Sequence, residues 1–286
     1  MEIGAKTKVV GVIGWPLGHT LSPPMHNAAF EKAGLDWVYV ALPTPPETLE
    51  EAIRGMKALG MTGLNVTIPH KEAVMEFLDE VKAEARQIGA VNTIWVEDGN
   101  LCGTNTDAYG FLASLEDEGV VSLENKAAAI IGSGGVARAI VTACASEGMK
   151  ELALTDIVIE RAHALEDAVT KSFPQITVNV FEPEHPDLYD AVSSADVLVN
   201  ATPLGMKPDD PLPIEAEHIR SGSVVFDAVY NPAETKLLAA AARKECKAIG
   251  GLGMLAHQGA RSFEIWTGVA PDVELMKEVL KQKLFG

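Results

Sequence analysis

The sequence has few cysteines and no spacing typical of a metal site. Three cysteines occur among 286 residues, and Cys102, Cys144 and Cys246 stand far apart. Their odd number excludes a framework in which every cysteine is paired in a disulfide. We expect three thiols that behave as small apolar side chains in a reducing compartment. Because neither a CxxC nor an HExxH pattern is present, we expect no metal.

Basic residues are also scarce. The chain has 23 Lys and Arg against 40 Asp and Glu, a formal net charge of −17 at pH 7, and the basic residues form no cluster. This charge argues against nucleic acid or an anionic membrane surface as a partner. No apolar run reaches the roughly 18 residues of a transmembrane helix, and the N-terminal residues lack the layout of a signal peptide. We therefore expect a cytoplasmic protein, and the choice between monomer and homodimer stays open.

One glycine-rich stretch has the features of a dinucleotide-binding turn. Five apolar residues, 127–131, run into Gly132–Gly135 and then into a helical pattern without proline. Such a turn lets the backbone approach a pyrophosphate, with the positive end of the helix beside the phosphate charge. Ala137 stands at the third glycine position of the motif, where alanine is allowed. Alone the turn is weak evidence, because ordinary turns between strand and helix also contain glycine.

The alternation of strands and helices predicts an α/β protein of two domains. From residue 127 to about 250 the alternation is regular, as in a Rossmann-like, doubly wound sheet. A smaller alternation precedes it, with a hairpin signal at Asp98-Gly99, and two helices at the C-terminus come too late for the nucleotide sheet. We expect a substrate-binding α/β domain over 1–107, completed by 253–286, and a Rossmann-like NAD(P)-binding domain over 108–252.

Two hydroxyl side chains precede the first predicted helix. Thr20 and Ser22 are two residues apart, and Pro23 and Pro24 mark the helix start after them. Capping of this helix by Ser22 is the structural interpretation. The functional interpretation is that both hydroxyls bind a small anion. Taken by themselves, the residues favour capping.

A lysine and an aspartate follow predicted strand ends in the first domain. Lys71 comes after the strand predicted at 61–67 and is predicted to lie in the first turn of a helix, a position that disfavours cations. Asp107 follows another strand end 36 residues later, so the two can meet. An amine beside a carboxylate can take the proton of an alcohol and return it.

Eight short motifs occur in order along nearly the whole chain, and together they resemble the shikimate dehydrogenase family with its quinate-oxidising relatives. The resemblance implies reversible NAD(P)-linked oxidation of shikimate to 3-dehydroshikimate, or of quinate to 3-dehydroquinate, both small hydroxylated carboxylic acids. The motifs are GWPLGHTLSPPMHN, NVTIPHK, GAVNT, GTNTDAYG, GSGGVAR, NATPLGM, VYNPAETKLL and GLGMLAHQG.

The resemblance also implies roles for single residues. Lys71 and Asp107 take the positions of the catalytic pair. His19, His26, His70 and His257 lie in the motifs but are given no part in proton transfer. The residues expected to bind substrate are Thr20, Ser22, Thr67, Asn92, Tyr230 and Gln258. The residues expected at the cofactor are Gly132, Ser133, Gly134, Gly135, Val136, Ala137, Asp156, Thr202 and Gly251.

Two departures from the family pattern bear on specificity. Thr20 stands where shikimate-specific members usually have serine, which leaves quinate open as a substrate. Asp156 closes the second strand of the nucleotide sheet, 24 residues after Gly132 and near the position of a ribose-binding acid. A carboxylate accepts hydrogen bonds from ribose hydroxyls and repels a phosphate, so Asp156 predicts NAD over NADP. Ile157 stands where typical members carry arginine.

Two alternatives remain beside the NAD-preferring enzyme. Arg161, expected on a helix surface, keeps open a strictly NADP-dependent shikimate dehydrogenase of aromatic amino acid biosynthesis. The other is a non-catalytic, ligand-sensing paralogue. The intact pair of Lys71 and Asp107 argues against the sensor, since a sensor could lose either residue.

Overall fold

The structure is a computed structural model and describes residues 3–18 and 20–285. The chain forms two compact units, Met1–Gly110 with Ala256–Gly286, and Phe111–Leu255. Each unit contains one six-stranded sheet. The predicted α/β fold with a Rossmann-like second sheet is confirmed.

The secondary structure follows the predicted alternation closely in the second unit and less closely in the first. Short 3-10 helices also occur at Pro46–Thr48, Ala73–Phe77 and Ala216–His218. The strands are β1 (Lys8–Gly14), β2 (Trp37–Pro43), β3 (Gly63–Val66), β4 (Glu80–Val81), β5 (Thr93–Glu97), β6 (Asn100–Thr104), β7 (Ala127–Ile131), β8 (Glu151–Thr155), β9 (Thr177–Val180), β10 (Val197–Asn200), β11 (Val224–Asp227) and β12 (Lys247–Gly250). The helices are α1 (Ser22–Lys32), α2 (Leu49–Ala58), α3 (Ala83–Ile88), α4 (Asp107–Asp117), α5 (Gly135–Ser146), α6 (Ile159–Ser172), α7 (Pro186–Ser194), α8 (Lys236–Arg243), α9 (Leu252–Thr267) and α10 (Val273–Phe285).

The sheet of the first unit is mixed. Its strand order is β2-β1-β3-β5-β6-β4, with β1 parallel to both β2 and β3 and with β5 antiparallel to β3 and β6. The hairpin between β5 and β6 turns at Asp98 and Gly99, which have φ of 49° and 78°. Positive φ at both positions is what a two-residue hairpin turn requires, so the Asp-Gly signal predicted it correctly.

The sheet of the second unit is entirely parallel. Its strand order is β12-β11-β10-β7-β8-β9. The chain adds β8 and β9 on one side of β7 and then returns to add β10, β11 and β12 on the other side, so the order of the strands reverses at β7. This is the doubly wound order, in which ligands bind outside the carboxyl ends of the strands at the reversal point. The glycine turn follows β7 and therefore lies at that point.

The helix predicted to contain Lys71 in its first turn does not form. The structure has turns, the short 3-10 helix Ala73–Phe77 and then β4, which pairs with β6. Val74 and Val81 are buried in the core of the unit, as the helical spacing suggested. That spacing was misleading because the edge of β6 offers unpaired backbone groups, and pairing with them favours an extended chain at Glu80–Val81.

A cluster of aromatic rings surrounds His26 in the first unit. The His26 imidazole is fully buried and stacks on Tyr39, with ring centroids 4.3 Å apart and planes at 1°. Phe263 and Trp266 from α9 also contact this ring. Within the described residues neither ring nitrogen has a hydrogen-bond partner. Burial lowers the pKa of His26 from 6.5 to about 3, so the ring is neutral and serves packing.

We expect His26 to make the protein sensitive to acid. The unfolded chain protonates this histidine near pH 6.5, whereas the folded chain does so only near pH 3. Between these values the unfolded state binds the additional proton, so the free energy of unfolding falls as pH falls, by about 1.4 kcal/mol per pH unit from this group. Denaturant unfolding at several pH values should show a weaker pH dependence for His26→Phe than for wild type.

The exposed His163 supplies the control for this measurement. The His163→Phe variant should keep the wild-type pH dependence, because that ring is exposed in the folded protein as it is in the unfolded chain. Equal slopes for wild type and His26→Phe would contradict the assignment.

Candidate active site

Lys71 and Asp107 form an ion pair inside the first unit. Lys71 Nζ lies 2.5 Å from Asp107 Oδ2, and the two side chains are only 10% and 6% exposed. Lys71 lies in a turn after β3, where its carbonyl oxygen accepts from the Val91 N–H at 2.7 Å. Asp107 is the first residue of α4. The structure therefore brings together the two residues that the sequence assigned to proton transfer.

Asn92 fixes the second oxygen of the Asp107 carboxylate. The Thr106 N–H donates to Asn92 Oδ1 at 2.8 Å, and a backbone N–H can only donate. The Nδ2 end of the Asn92 amide is thereby assigned, and it donates to Asp107 Oδ1 at 2.8 Å. Gln258 Oε1, on α9, lies 3.4 Å from Asn92 Nδ2. Four of the predicted site residues thus lie in one hydrogen-bonded group.

A buried hydrogen-bond network extends from this group toward α1, and the sequence did not predict it. Asn65 Nδ2 donates to Thr93 Oγ1 at 3.2 Å and to Ser262 Oγ at 3.0 Å. The Tyr39 hydroxyl donates to Asn65 Oδ1 at 2.8 Å. The only available signal was the density of Asn and Thr after strand ends. Tyr39 and Ser262 read as ordinary strand and helix residues.

The structure does not bear out the alternative interpretation of Ser22 as a helix cap. Helix α1 begins at Ser22 itself, Leu21 occupies the N-cap position, and no side chain caps the helix. Ser22 is already the first helical residue and so lies one position past the place from which a side chain caps a helix. Thr20 is half-buried beside it, with Oγ1 3.4 Å from the Ser22 nitrogen. The two hydroxyl residues therefore lie together at the start of α1, as anion binding would require.

Thr67 lies at the carboxyl end of β3. Its N–H donates to the Ile13 carbonyl at 2.9 Å, and its own carbonyl accepts from His70. A Cβ at Gly14 would come within 2.4 Å of Thr67 Cγ2, so Gly14 makes room for this side chain. Thr67 is half-buried. His19, one of the motif histidines, lies outside the described residues.

The glycine turn of the second unit has the conformation that the motif predicts. Gly132 has φ of +101°, and a Cβ there would lie 2.9 Å from Thr202 Cγ2. Gly134 is the extended residue before α5, and an added Cβ would meet no atom within 4 Å. Ser133 Oγ is buried and has no hydrogen-bond partner in the part of the chain that is described. These features fit a dinucleotide pyrophosphate at the start of α5.

Helix α5 packs tightly behind the turn. Ala137 is fully buried, which is the close helix–sheet contact expected at the third position of the motif. Val136 is half-buried in the first turn. Gly251 permits another close approach, because a Cβ there would lie 2.3 Å from the Ala228 carbonyl oxygen.

A buried carboxylate organises the loops after β10 and β11. Asp227 accepts from Asn200 Nδ2 at 2.9 Å, from the Val229 N–H at 3.0 Å and from Thr235 Oγ1 at 2.6 Å. Burial raises the pKa of Asp227 above its ordinary value. Asn200 Oδ1 in turn accepts from Thr202 Oγ1 at 2.7 Å, so this network positions Thr202.

Tyr230 follows this carboxylate in the chain and belongs to the second unit. The tyrosine is half-buried, and burial raises the pKa of its hydroxyl. It is the one predicted substrate contact that the second unit contributes. The other five lie in the first unit.

Asp156 is engaged by backbone rather than presented to solvent. Its Oδ2 accepts from the Ser133 N–H at 2.7 Å, and its Oδ1 accepts from the Val158 N–H at 2.9 Å. Oδ2 therefore ties the glycine turn to the end of β8, and Oδ1 holds the loop that leads into α6. The neighbouring Ile157 is 92% exposed. Arg161 is exposed in the first turn of α6, and no described carboxylate forms an ion pair with it.

Comparison with known proteins identifies the family. Residues 12–94 match the family described as shikimate dehydrogenase substrate binding domain, and residues 251–281 match the shikimate 5'-dehydrogenase C-terminal domain. The shikimate dehydrogenase (NADP(+)) of Methanothermobacter thermautotrophicus is 44% identical over 99% of both chains. This chain belongs to the shikimate dehydrogenase family. It is an oxidoreductase, as the motifs predicted.

Two solved structures are similar over nearly their whole length. A shikimate dehydrogenase in complex with NADP+ has a TM-score of 0.91 and 42% identity, covering 100% of this chain and 98% of that one. The shikimate 5-dehydrogenase from Listeria monocytogenes, in complex with shikimate and NAD, has a TM-score of 0.90 and 34% identity, covering 98% of each chain.

The predicted preference for NAD is wrong. The relatives that match at 39–44% identity are named shikimate dehydrogenase (NADP(+)). The structure supplies a physical reason for the error. Asp156 occupies the sequence position of a ribose-binding acid, but its carboxylate holds the backbone of Ser133 and Val158, which accounts for an acid here without any contact to a ribose. The position of an acid in the sequence does not reveal that its hydrogen bonds go to the backbone.

Over the described ranges 3–18 and 20–285, no helix combines the length and the apolar character needed to span a bilayer. Nor do three or more His, Cys, Asp or Glu side chains of those ranges come together as a metal-binding group.

We expect Asp156→Ala to weaken both cofactors alike. The substitution removes the Oδ2 acceptor that holds the glycine turn through Ser133, a hydrogen bond to a charged group worth about 1.5 kcal/mol. Michaelis constants for NAD and for NADP should rise by a similar factor, about tenfold. In Asp156→Asn, which keeps one acceptor oxygen, the rise should be smaller. A rise confined to NAD would show instead that the carboxylate contacts the ribose.

Proposed function

We propose that this protein is an NADP-dependent shikimate dehydrogenase, which interconverts shikimate and 3-dehydroshikimate. The observation that carries the proposal is the buried pair of Lys71 and Asp107, locked by Asn92. The names of the relatives support the substrate and the cofactor. The three cysteines are unpaired, which fits a reducing compartment, and we place the enzyme in the cytoplasm.

Lys71 is the proposed proton-transfer group. The alcohol loses its O–H proton when it is oxidised, and an amine within hydrogen-bond reach can take that proton and return it in the reverse direction. Asp107 holds the amine in place through Oδ2 while Asn92 holds Oδ1, so neither the carboxylate nor the amine needs to reorient during the reaction. The bound nicotinamide dinucleotide supplies or accepts the hydride.

The hydroxyl pair at the start of α1 is the proposed site of the substrate carboxylate. Thr20 and Ser22 offer neutral donors, and the N-terminus of this 11-residue helix adds partial positive charge. Such local groups can bind an anion in a protein whose net charge is −17. Thr67, Asn92, Gln258 and Tyr230 are the proposed partners of the remaining polar groups of the substrate.

The cofactor is assigned to the second unit. The proposed pyrophosphate site is the turn Gly132–Gly135 together with Val136 and Ala137. Thr202 and Gly251 are proposed to line the rest of the cofactor site. For the 2′-phosphate of NADP we propose Arg161. It is the exposed cation that follows the Asp156 loop, at a helix N-terminus that disfavours an arginine without an anionic partner.

A four-way assay tests the proposed function. Shikimate and quinate are each offered with NADP and with NAD, and the highest kcat/KM is expected for shikimate with NADP. A higher value for quinate would overturn the proposed substrate. Absence of turnover in all four combinations would overturn the proposal.

Replacing Lys71 should separate an enzyme from a ligand sensor. Lys71→Ala removes the proton-transfer group, and kcat should fall by about 10²- to 10⁴-fold. Binding of NADP, measured by isothermal titration calorimetry, should be retained because the cofactor residues lie in the other unit. The exposed Lys82, paired with Glu80, provides a control, and Lys82→Ala should keep the wild-type kcat. A Lys71→Ala variant with wild-type turnover would refute the role.

Replacing Arg161 should change the cofactor preference. A charge-assisted bond to a phosphate is worth about 1.5–3 kcal/mol, so Arg161→Gln should raise KM for NADP by about 10- to 100-fold. KM for NAD, which lacks the phosphate, should stay unchanged. Lys171, in the last turn of the same helix, serves as a control, and Lys171→Gln should alter neither constant. Equal effects on both cofactors would contradict the assignment.

A further inference from the structure

Ser262 lies at the centre of the hydrogen-bond network in the first unit, although no role was predicted for it from the sequence. It is fully buried on α9. Its Oγ lies 2.7 Å from Thr93 Oγ1 and 3.0 Å from Asn65 Nδ2. It also lies 3.3 Å from Thr106 Oγ1 and 3.0 Å from the Gln258 carbonyl oxygen. One hydroxyl thus joins α9 to three polar residues from other parts of the unit.

The direction of these bonds follows from one backbone donor. The Thr106 N–H donates to Asn92 Oδ1, so this oxygen is an acceptor. The Thr93 hydroxyl donates to the same oxygen at 2.9 Å. Because a threonine hydroxyl has a single proton, Thr93 Oγ1 is the acceptor in its 2.7 Å contact with Ser262. Ser262 therefore donates, and it shares its proton with the carbonyl of Gln258 in a three-centre bond.

The position of Ser262 on α9 connects it to the proposed catalytic pair. Gln258, Ser262 and Trp266 are spaced four residues apart and so lie on one face of the helix. Trp266 Nε1 donates to the Ile94 carbonyl at 3.0 Å and anchors this face on β5. Gln258 Oε1 lies at its other end, 3.4 Å from Asn92 Nδ2. Ser262 lies between Trp266, which anchors the helix face, and Gln258, which lies beside Asn92.

We propose that Ser262 is a positioning residue: through Thr93 it keeps Asn92 aligned with Asp107, and through the helix it holds Gln258 beside Asn92. The inference rests on the proposed function, because its effect is measured as turnover of shikimate. Ser262 touches neither Lys71 nor Asp107. It acts by limiting how far the Asn92 amide can rotate away from the carboxylate.

The Ser262→Ala variant should still fold. The bond from Trp266 to Ile94 keeps α9 on the sheet, and Asn65 Nδ2 retains acceptors in the Asn92 carbonyl at 3.1 Å and in Thr93 Oγ1. Ser262→Cys, which keeps the volume and weakens the hydrogen bonds, is the second variant if the alanine protein does not fold. Ser262→Thr keeps the hydroxyl and tests rescue.

Ser114 provides the matched control. It is a buried helical serine, 2% exposed, whose Oγ donates to the Phe111 carbonyl at 2.7 Å. It belongs to the second unit and shares no partner with the network. Ser114→Ala therefore removes a comparable hydrogen bond, and any general loss of stability from such a change should appear in this variant too.

The experiment measures kcat and KM for shikimate and NADP in wild type and in each variant, with melting temperatures alongside. For Ser262→Ala and Ser262→Cys we expect kcat to fall by about tenfold or more, since small displacements at a reacting centre cost that much. KM for NADP should not change. Ser262→Thr should recover most of kcat, and Ser114→Ala should match wild type.

A double-mutant cycle with Asn92→Ala separates positioning from general structural damage. If Ser262 acts through Asn92, adding Ser262→Ala to Asn92→Ala should lower kcat less than twofold further. Full multiplication of the two effects would overturn the proposal, as would an unchanged kcat in Ser262→Ala and Ser262→Cys. A wild-type enzyme without activity on shikimate and NADP would overturn the proposed function itself, which the other outcomes leave standing.

Discussion

Burying an ion pair stabilises a protein only where every charged atom has a partner, and the first unit satisfies this condition around Lys71 and Asp107. One carboxylate oxygen faces the amine and the other faces Asn92. The orientation of Asn92 is fixed in turn by a backbone donor at Thr106. Asp107 is therefore held by Asn92, and Asn92 is held by a residue farther from the ion pair. The groups that hold them are amides and backbone N–H groups, so no further charge is buried.

Carboxylates in the second unit are used differently. Asp156 and Asp227 follow or end parallel strands, and both accept hydrogen bonds from backbone N–H groups in the loops beyond. Neither forms an ion pair with a lysine or arginine of the described chain. The loops around the proposed cofactor site are thus shaped by acids that have neutral partners. This explains how an acidic protein can present a phosphate site. The Asp156 carboxylate is the acid that contacts the glycine turn, and its negative charge is partly balanced by the backbone N–H groups that donate to it.

Local patterns predicted what local physics decides. The apolar strand before Gly132, the glycine turn and the Asp98-Gly99 hairpin depend on neighbouring residues, and the structure has all three. The helix predicted after Pro69 does not form, because β4 pairs with the edge of β6, a strand that is distant in the sequence. The cofactor preference failed because the hydrogen bonds of Asp156 are invisible in a sequence. Ser262 could not have been found, since its partners lie as far as 197 residues away. Motif resemblance located the catalytic pair, but the geometry around it required the fold.

The return of α9 to the first unit has a consequence for synthesis of the chain. The segment Ala256–Gly286 belongs to the unit that begins at the N-terminus, and the whole of Phe111–Leu255 is made in between. Until α9 has been synthesised, the rings of Phe263 and Trp266 are missing from the cluster around His26. The second unit is one continuous segment that contains all the strands of its sheet, so it can fold before synthesis of the chain ends. The part of the first unit that is synthesised before the second unit is therefore completed only after it, when α9 adds its two rings to the aromatic cluster.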